Sequence, residues 1–260
     1  MRIKVILNAD PGDFIDINYQ YSLAAWIYRV MDKSNPGSAE FWHNSGLSFS
    51  ETDNRRYKFF TFSNLYIPKF RLEGRRIYIL SDYISFIFST YIDEIGCDFI
   101  GGLSENPGFY VGKYLKVKEI QVLRENDIKS GVILKAKSPI YVQSDSLHLN
   151  PVEHKDIYSA AIHKNLSSKY NVFYESDRHD FIQTSVTIVS GIRQKLITIK
   201  EGKDSETKIK GFLYTFKVEG DPDLIEIGYK CGFGQGNAMG FGFVDVLEHK
   251  PIQKDGFIDN

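Results

Sequence analysis

Asp221-Pro-Asp-Leu-Ile-Glu-Ile-Gly-Tyr-Lys-Cys-Gly-Phe-Gly-Gln-Gly-Asn-Ala-Met-Gly-Phe-Gly-Phe-Val244 holds six of the chain's 21 glycines. Its opening alternates apolar and polar residues as a strand would, yet its punctuation is helical. Asp221 suits an N-cap, Pro222 the first helical position, and Leu224, Ile227 and Cys231 recur at helical spacing. Gly232 offers a left-handed stop, and Phe241, Phe243 and Val244 to Leu247 read as a strand. The order is therefore helix, glycine loop, strand. A glycine cluster costs conformational entropy, so it implies positive φ angles or close approach to the backbone. Two readings follow: a nest of N–H groups for phosphate oxygens, or a crowded turn packed under a sheet. Dinucleotide and Walker loops run strand, loop, helix, and no Lys-Ser or Lys-Thr follows these glycines, which excludes both.

The 260 residues suffice for one large domain or two smaller ones, with 42% hydrophobic and 25% charged residues, as in ordinary globular chains. A formal net charge of −1 announces no global field for nucleic acid, so any RNA site must be a local basic face. Cys97 and Cys231 lie far apart, and the six histidines are dispersed, so neither a zinc site nor a disulfide framework is indicated. The opening Met1 to Leu7 alternates and lacks the apolar core of a signal peptide. No run of about 18 apolar residues is present to span a membrane. The expectation is a cytoplasmic, metal-free and cofactor-free protein.

In order, Arg2 to Leu7 reads as a strand and Tyr21 to Met31 as a helix burying Leu23, Trp26, Ile27 and Val30, with Tyr28 on its flank. Asn35-Pro36 breaks the helix, and a short turn from Gly37 to Trp42 stops at His43-Asn-Ser-Gly46. Polar Ser48 to Arg56 reads as a loop and Tyr57 to Leu65 as a strand. A hairpin follows around Arg71-Leu-Glu-Gly74, with its second strand through Ile77 and Ile79. Asp82 to Ile92 reads as a helix and Phe109 to Val122 as a long strand, giving the ferredoxin-like order βαββαβ. The order recurs with a strand at Gly131 to Ala136 and a helix at Glu153 to Ser168. Strands at Phe181 to Val189, and at Leu196 to Lys200 paired with Lys210 to Val218, precede the Asp221 helix and the Phe241 strand. The expected fold is α+β, with tandem ferredoxin-like domains at residues 1–125 and 126–250, the second carrying the glycine-rich loop, and a tail at 251–260. Polar Arg124 to Lys129 marks the boundary.

The bracketed Gly232-Phe-Gly234 and Gly240-Phe-Gly242 pattern, after an acidic-start helix and before a strand, resembles the C-terminal signature of the RAMP superfamily. More narrowly, it is similar to the CRISPR-associated endoribonucleases that cut repeat RNA into guide RNAs. Tyr21 to Tyr28, Ser34-Asn-Pro36, Phe41-Trp-His43 and Lys58-Phe-Phe-Thr-Phe-Ser63 resemble that family's first helix, catalytic turn and basic residue before an aromatic strand. The resemblance implies the same fold and metal-independent cleavage by Tyr28, His43 and Lys58, leaving a 2′,3′-cyclic phosphate and a 5′-OH. Arg55 or Arg56 could take the place of Lys58. The implied partner is CRISPR repeat RNA, with interference-complex subunits and a second copy of the chain as further candidates.

The chemistry needs a base for the 2′-OH, an acid for the departing 5′-oxygen, and positive charge at the phosphorane. Histidine can move either proton, lysine supplies charge, and tyrosine can orient the nucleophile or leaving group. Outside the resemblance each has a plainer reading: His43 capping a helix end, Tyr28 as a core aromatic, Lys58 as a solvated strand residue. Expected RNA contacts are Gly232, Gly234, Gly236, Asn237, Gly240 and Gly242 on the loop, with Lys135, Lys137, Arg193 and Lys195. Arg75-Arg76 is a further basic cluster. The alternative function is a non-catalytic RNA-binding RAMP subunit of a CRISPR ribonucleoprotein.

Overall fold

The computed structural model describes residues 1–48, 55–105, 108–111, 113–202 and 204–247, and for Ala39, His43 and Asn44 the backbone alone. Residues 251–260, expected as a tail, and 49–54 of the expected loop lie outside the described residues. The fold is α+β with two β-rich regions.

Strand β1 (Arg2–Asn8) buries Ile3, Val5 and Leu7, and a short strand β2 (Phe14–Asp16) leads into helix α1 (Gln20–Ser34). The chain continues through a single turn, α2 (Ser38–Glu40), a π-helical turn (Phe41–Ser45), and strands β3 (Phe60–Phe62), β4 (Phe70–Glu73), β5 (Arg76–Ile79) and β6 (Tyr83–Thr90). Helix α3 (Asp93–Glu105), β7 (Gly108–Tyr110) and β8 (Tyr114–Leu123) complete the first region. Its main sheet runs β3-β6-β1-β8-β7, antiparallel at every pairing, while β2, β5 and β4 form a separate small sheet.

The second region contains β9 (Val132–Ala136), β10 (Gln143–Ser144), β11 (Leu147–His148), α4 (Lys155–Phe173), β12 (Ser185–Ile199), β13 (Thr207–Glu219), α5 (Pro222–Cys231), a 3-10 turn (Asn237–Met239) and β14 (Val244–Val246). Its four-stranded sheet runs β12-β13-β9-β14. If β1, β3, β6, β8 and β9, β12, β13, β14 are counted as four strands each, both sheets have the spatial order second, third, first, fourth.

Several expectations are corrected. Asp82 to Ile92 is not a helix: β6 occupies most of it, because Ile84, Phe86 and Phe88 alternate into the core and aromatic and β-branched residues favour strands. The helix is the following segment, α3. The Phe109 to Val122 strand is broken at Val111 to Lys113 into β7 and β8, which pair as a hairpin. Phe181 to Val189 and Leu196 to Lys200 belong largely to one strand, β12, whose irregularities at Ile188/Ser190 and Ser190/Arg193 flank or span Gly191 in positive φ. The last strand begins at Val244 rather than Phe241.

The two regions are joined by polar side chains reaching backbone. Thr61 Oγ1 donates to the Phe241 carbonyl at 2.9 Å, and Ser89 Oγ to that of Lys230 at 2.7 Å. Arg2 crosses from β1 to donate to the Val244 carbonyl at 3.0 Å.

Candidate active site

Between the regions lies a cavity of about 820 Å³. One wall is α1, where Tyr21, Ala24, Ala25 and Tyr28 recur at helical spacing. The Tyr28 ring meets Phe60 edge-on, with centroids 5.4 Å apart, and is half-buried. Burial pushes its phenol well above the ordinary tyrosine value, so at neutral pH it is a neutral donor and not a base.

The second wall is the approach to β3. Phe59 adopts φ +53, which a bulky residue rarely does, and its carbonyl is held by Thr90 Oγ1 at 2.9 Å and Tyr91 N–H at 3.0 Å. This local twist sends Phe59 into the second region's core and Phe60 into the first's, and leaves Lys58 beside the cavity. Burial, and then the Arg56 charge, lower the Lys58 ammonium to about 8. The π-helical turn that contains the His43 backbone closes with Gly46 N–H donating to the Phe41 carbonyl at 2.8 Å. Gly46 has φ +56 and ψ −165, a combination essentially reserved for glycine. A Cβ there would stand 2.8 Å from the Tyr57 carbonyl and 3.0 Å from Lys58 Nζ. The His43 turn and Lys58 thus abut. The His43 side chain lies outside what the structure describes.

The third wall is the glycine segment, at Gly234 to Met239. Here the two readings of the glycines separate by position. Gly232, Gly234, Gly240 and Gly242 are buried, and a Cβ at each would meet protein: Asn237 Nδ2 at 2.4 Å, the Tyr141 carbonyl at 2.3 Å, the Phe62 ring at 2.5 Å and the Phe233 carbonyl at 2.1 Å. In this structure a side chain at any of these four would have to displace its neighbours, so their lack of one shapes the loop. Gly236 is half-exposed, with no atom nearer than 3.2 Å to its Cβ position. The N–H groups of Gly236, Asn237 and Ala238 have no hydrogen-bond partner among the described residues. The Asn237 amide braces the loop, donating to the carbonyls of Phe241 at 3.1 Å and Phe233 at 3.4 Å. Gly240→Ala is expected to cost about 2–4 kcal/mol in chemical denaturation, from overpacking plus left-handed backbone. Gly236→Ala should cost about 1–2 kcal/mol from its left-handed φ of +70 and leave a folded protein with weaker RNA binding.

Among the described residues six cations line the cavity, Arg29, Arg55, Arg56, Lys58, Lys169 and Lys200, and no Asp or Glu does. In a chain of net charge −1 that segregation makes an electropositive cleft suited to an anion. Of these, Arg29, Lys169 and Lys200 carried no sequence signal. Lys169 looks like one more polar residue of a helix, and Lys200, at φ +54, becomes a site residue only through the turn after β12. Lys135, Lys137, Arg193 and Lys195 are exposed and none lines the cavity. Pairing of Arg193 with Leu213, Lys195 with Gly211 and Lys135 with Thr215 sets these three on one sheet face. Among the described residues no three His, Cys, Asp or Glu side chains gather as a set that could hold a metal ion, and no helix is long and apolar enough to cross a membrane.

Comparison with known proteins agrees with this architecture. The family "CRISPR-associated protein Cas6, N-terminal" matches residues 14–121, and "CRISPR associated protein Cas6, C-terminal" matches residues 123–246. The CRISPR-associated endoribonuclease Cas6 1 of Methanocaldococcus jannaschii is 32% identical over 257 residues, covering 96% of this chain and 94% of the relative. The CRISPR-associated endoribonuclease Cas6 of Pyrococcus furiosus is 30% identical over 247 residues, covering 92% and 86%. A solved structure described as CRISPR associated protein Cas6 aligns with a TM-score of 0.74 at 32% identity, over 95% of this chain and 99% of that one. The chain belongs to the Cas6 family of CRISPR-associated RAMP proteins.

Proposed function

We propose that this protein is a metal-independent endoribonuclease that cuts CRISPR repeat RNA into guide RNAs in the cytoplasm. The observation that carries the reading is the cavity, lined among the described residues by six cations and no carboxylate, with Tyr28 and Lys58 on two walls and the His43 turn against Lys58. Relatives at 30–32% identity bear the name endoribonuclease, which supports it. The shared strand order supports tandem ferredoxin-like units at residues 1–125 and 126–250, joined near Arg124 to Lys129.

In the proposed reaction the ribose 2′-oxygen attacks phosphorus, the P–O5′ bond breaks, and the products are a 2′,3′-cyclic phosphate and a 5′-OH. His43 moves a proton, from the 2′-OH or to the O5′ leaving group. Tyr28, as a neutral phenol, donates a hydrogen bond that orients one of those oxygens. Lys58 stabilises the phosphorane charge. Gly236 and Asn237 offer the accessible edge of the loop to the RNA, and Lys135, Lys137, Arg193 and Lys195 hold its backbone farther out. Interference-complex subunits and a second copy of the chain are proposed further partners. Repeat RNA incubated with the protein in EDTA should be cut at one position, and a 2′-deoxy substitution at that position should abolish cutting. Dependence on added magnesium, or cleavage of the deoxy substrate, would sink the mechanism. RNA that is bound tightly and never cut would select the non-catalytic subunit instead.

A pH profile tests Lys58 separately. Its folded value of about 8 means that the cation is present below that pH and lost above it. Thus kcat/KM should fall roughly tenfold per pH unit above about 8. At saturating RNA the falling limb should move to higher pH, because a bound phosphate favours the charged form. Lys58→Arg, which stays charged, should erase the limb; a limb unchanged in that variant assigns it elsewhere.

A further inference from the structure

Helix α4 sends Lys169 into the floor of the cavity. The residue is 3% exposed, and its Nζ donates to the Gly232 carbonyl at 2.6 Å, Asn237 Oδ1 at 2.9 Å and the Gly234 carbonyl at 3.4 Å. All three acceptors are neutral. Among the described residues no carboxylate pairs with this ammonium, and burial lowers it from the ordinary lysine value. The ionisable group beside it, Cys231 on α5, is itself pushed up by burial and stays a neutral thiol at neutral pH. Among the described residues, the charged groups on the other walls are Arg29 on α1, Arg55, Arg56 and Lys58 before β3, and Lys200 after β12, all cationic in kind, and the Tyr28 phenol on α1 is neutral. A buried charge without a counter-charge is costly, and an apolar residue would fill the same space more cheaply.

Resting on the RNA-binding reading above, we propose that Lys169 is a positioning residue of this site, whose missing counter-ion is a phosphate of the bound RNA. Its three hydrogen bonds draw the carbonyls of Gly232 and Gly234 toward α4 and brace Asn237, which leaves the Gly236 to Ala238 N–H groups beside the cavity without protein partners. Lys169 therefore acts twice. It sets the shape of the loop, and its field favours an anion at the loop's accessible edge. The RNA in turn stabilises the ammonium.

The test uses repeat RNA blocked by a 2′-deoxy at the cut site, so that binding is read without cleavage. Lys169→Gln retains a donor for the loop and removes the charge. Its affinity should fall roughly tenfold at low salt, and the slope of log affinity against log salt should shrink by about 0.7, the value for one phosphate on a single strand. A change in packing alone would not move that slope. Should the variant fail to fold, the intact protein decides: in nitrogen-15 lysine spectra the Lys169 ammonium should titrate about one unit higher with the blocked RNA bound than without it. An unchanged slope in a folded variant, or an unchanged titration, overturns the proposal. Wild-type protein that binds without cutting while Lys169→Gln still flattens the slope would sink the endoribonuclease reading and leave this one standing. Wild-type cutting with an unaffected variant would do the reverse.

Discussion

Replacing His43 by alanine is expected to slow single-turnover cleavage of the repeat by roughly 100- to 10,000-fold, the span typical of a positioned general acid or base. The other two proposed groups cannot replace it as a base. Tyr28 is held protonated by burial, and Lys58, at about 8, is mostly cationic at neutral pH. Neither offers a ready base near pH 7, whereas histidine ordinarily titrates there. Affinity for the RNA should change little, because phosphate contacts supply most of it and the cavity keeps its six cations. The backbone supports a specific effect. His43 sits in a π-helical turn, a form that recurs at functional sites, three residues before a glycine whose conformation other residues do not adopt. Rapid-quench assays of wild type and variant at matched RNA saturation provide the measurement. A rate within a few-fold of wild type removes His43 from the proton transfers.

Arg2→Ala is expected to lower stability by about 3–5 kcal/mol, the cost of breaking a buried, partnered charge site and leaving a void. Arg2 is 2% exposed, and its guanidinium lies between the rings of Tyr229 at 4.2 Å and Phe243 at 4.4 Å. It also donates to the Val244 carbonyl at 3.0 Å and approaches Asp245 at 3.6 Å. Asp245 is a third exposed, so the rings and the carbonyl, more than the ion pair, hold the residue in place. The first strand of one region is thereby tied to the last strand of the other. The melting temperature should fall by about 10 °C. Arg2→Lys should recover only part of this, since an ammonium lacks the planar fork that stacks between rings. A melting point within about 2 °C of wild type in Arg2→Ala would show that this tie contributes little.

Where local chemistry decides structure, the sequence sufficed. Asp221 caps α5, its carboxylate accepting from Asp223 N–H at 3.1 Å, with Pro222 in the first turn and Gly232 at the stop with φ +96. The buried stripe of α1 follows from spacing alone, as does its continuation to Tyr28 at the cavity. The misread helix shows the limit. Segment 82–92 carried the alternation of a strand, while the true helix α3 contains Gly96, Gly101 and Gly102, which weaken any helical signal. Those glycines answer to partners far away in the chain. A Cβ at Gly102 would stand 1.7 Å from the Val30 carbonyl of α1, and one at Gly101 would stand 2.3 Å from Ser34 Oγ. The glycine loop divides in the same way. Its composition announced an unusual backbone, but only the packing of Asn237, Tyr141, Phe62 and Phe233 separates the four glycines that shape it from Gly236. Lys169 was illegible for the same physical reason. An ammonium in a polar helix reads as solvated, and what buries it is a loop more than sixty residues later, whose carbonyls accept its three hydrogen bonds.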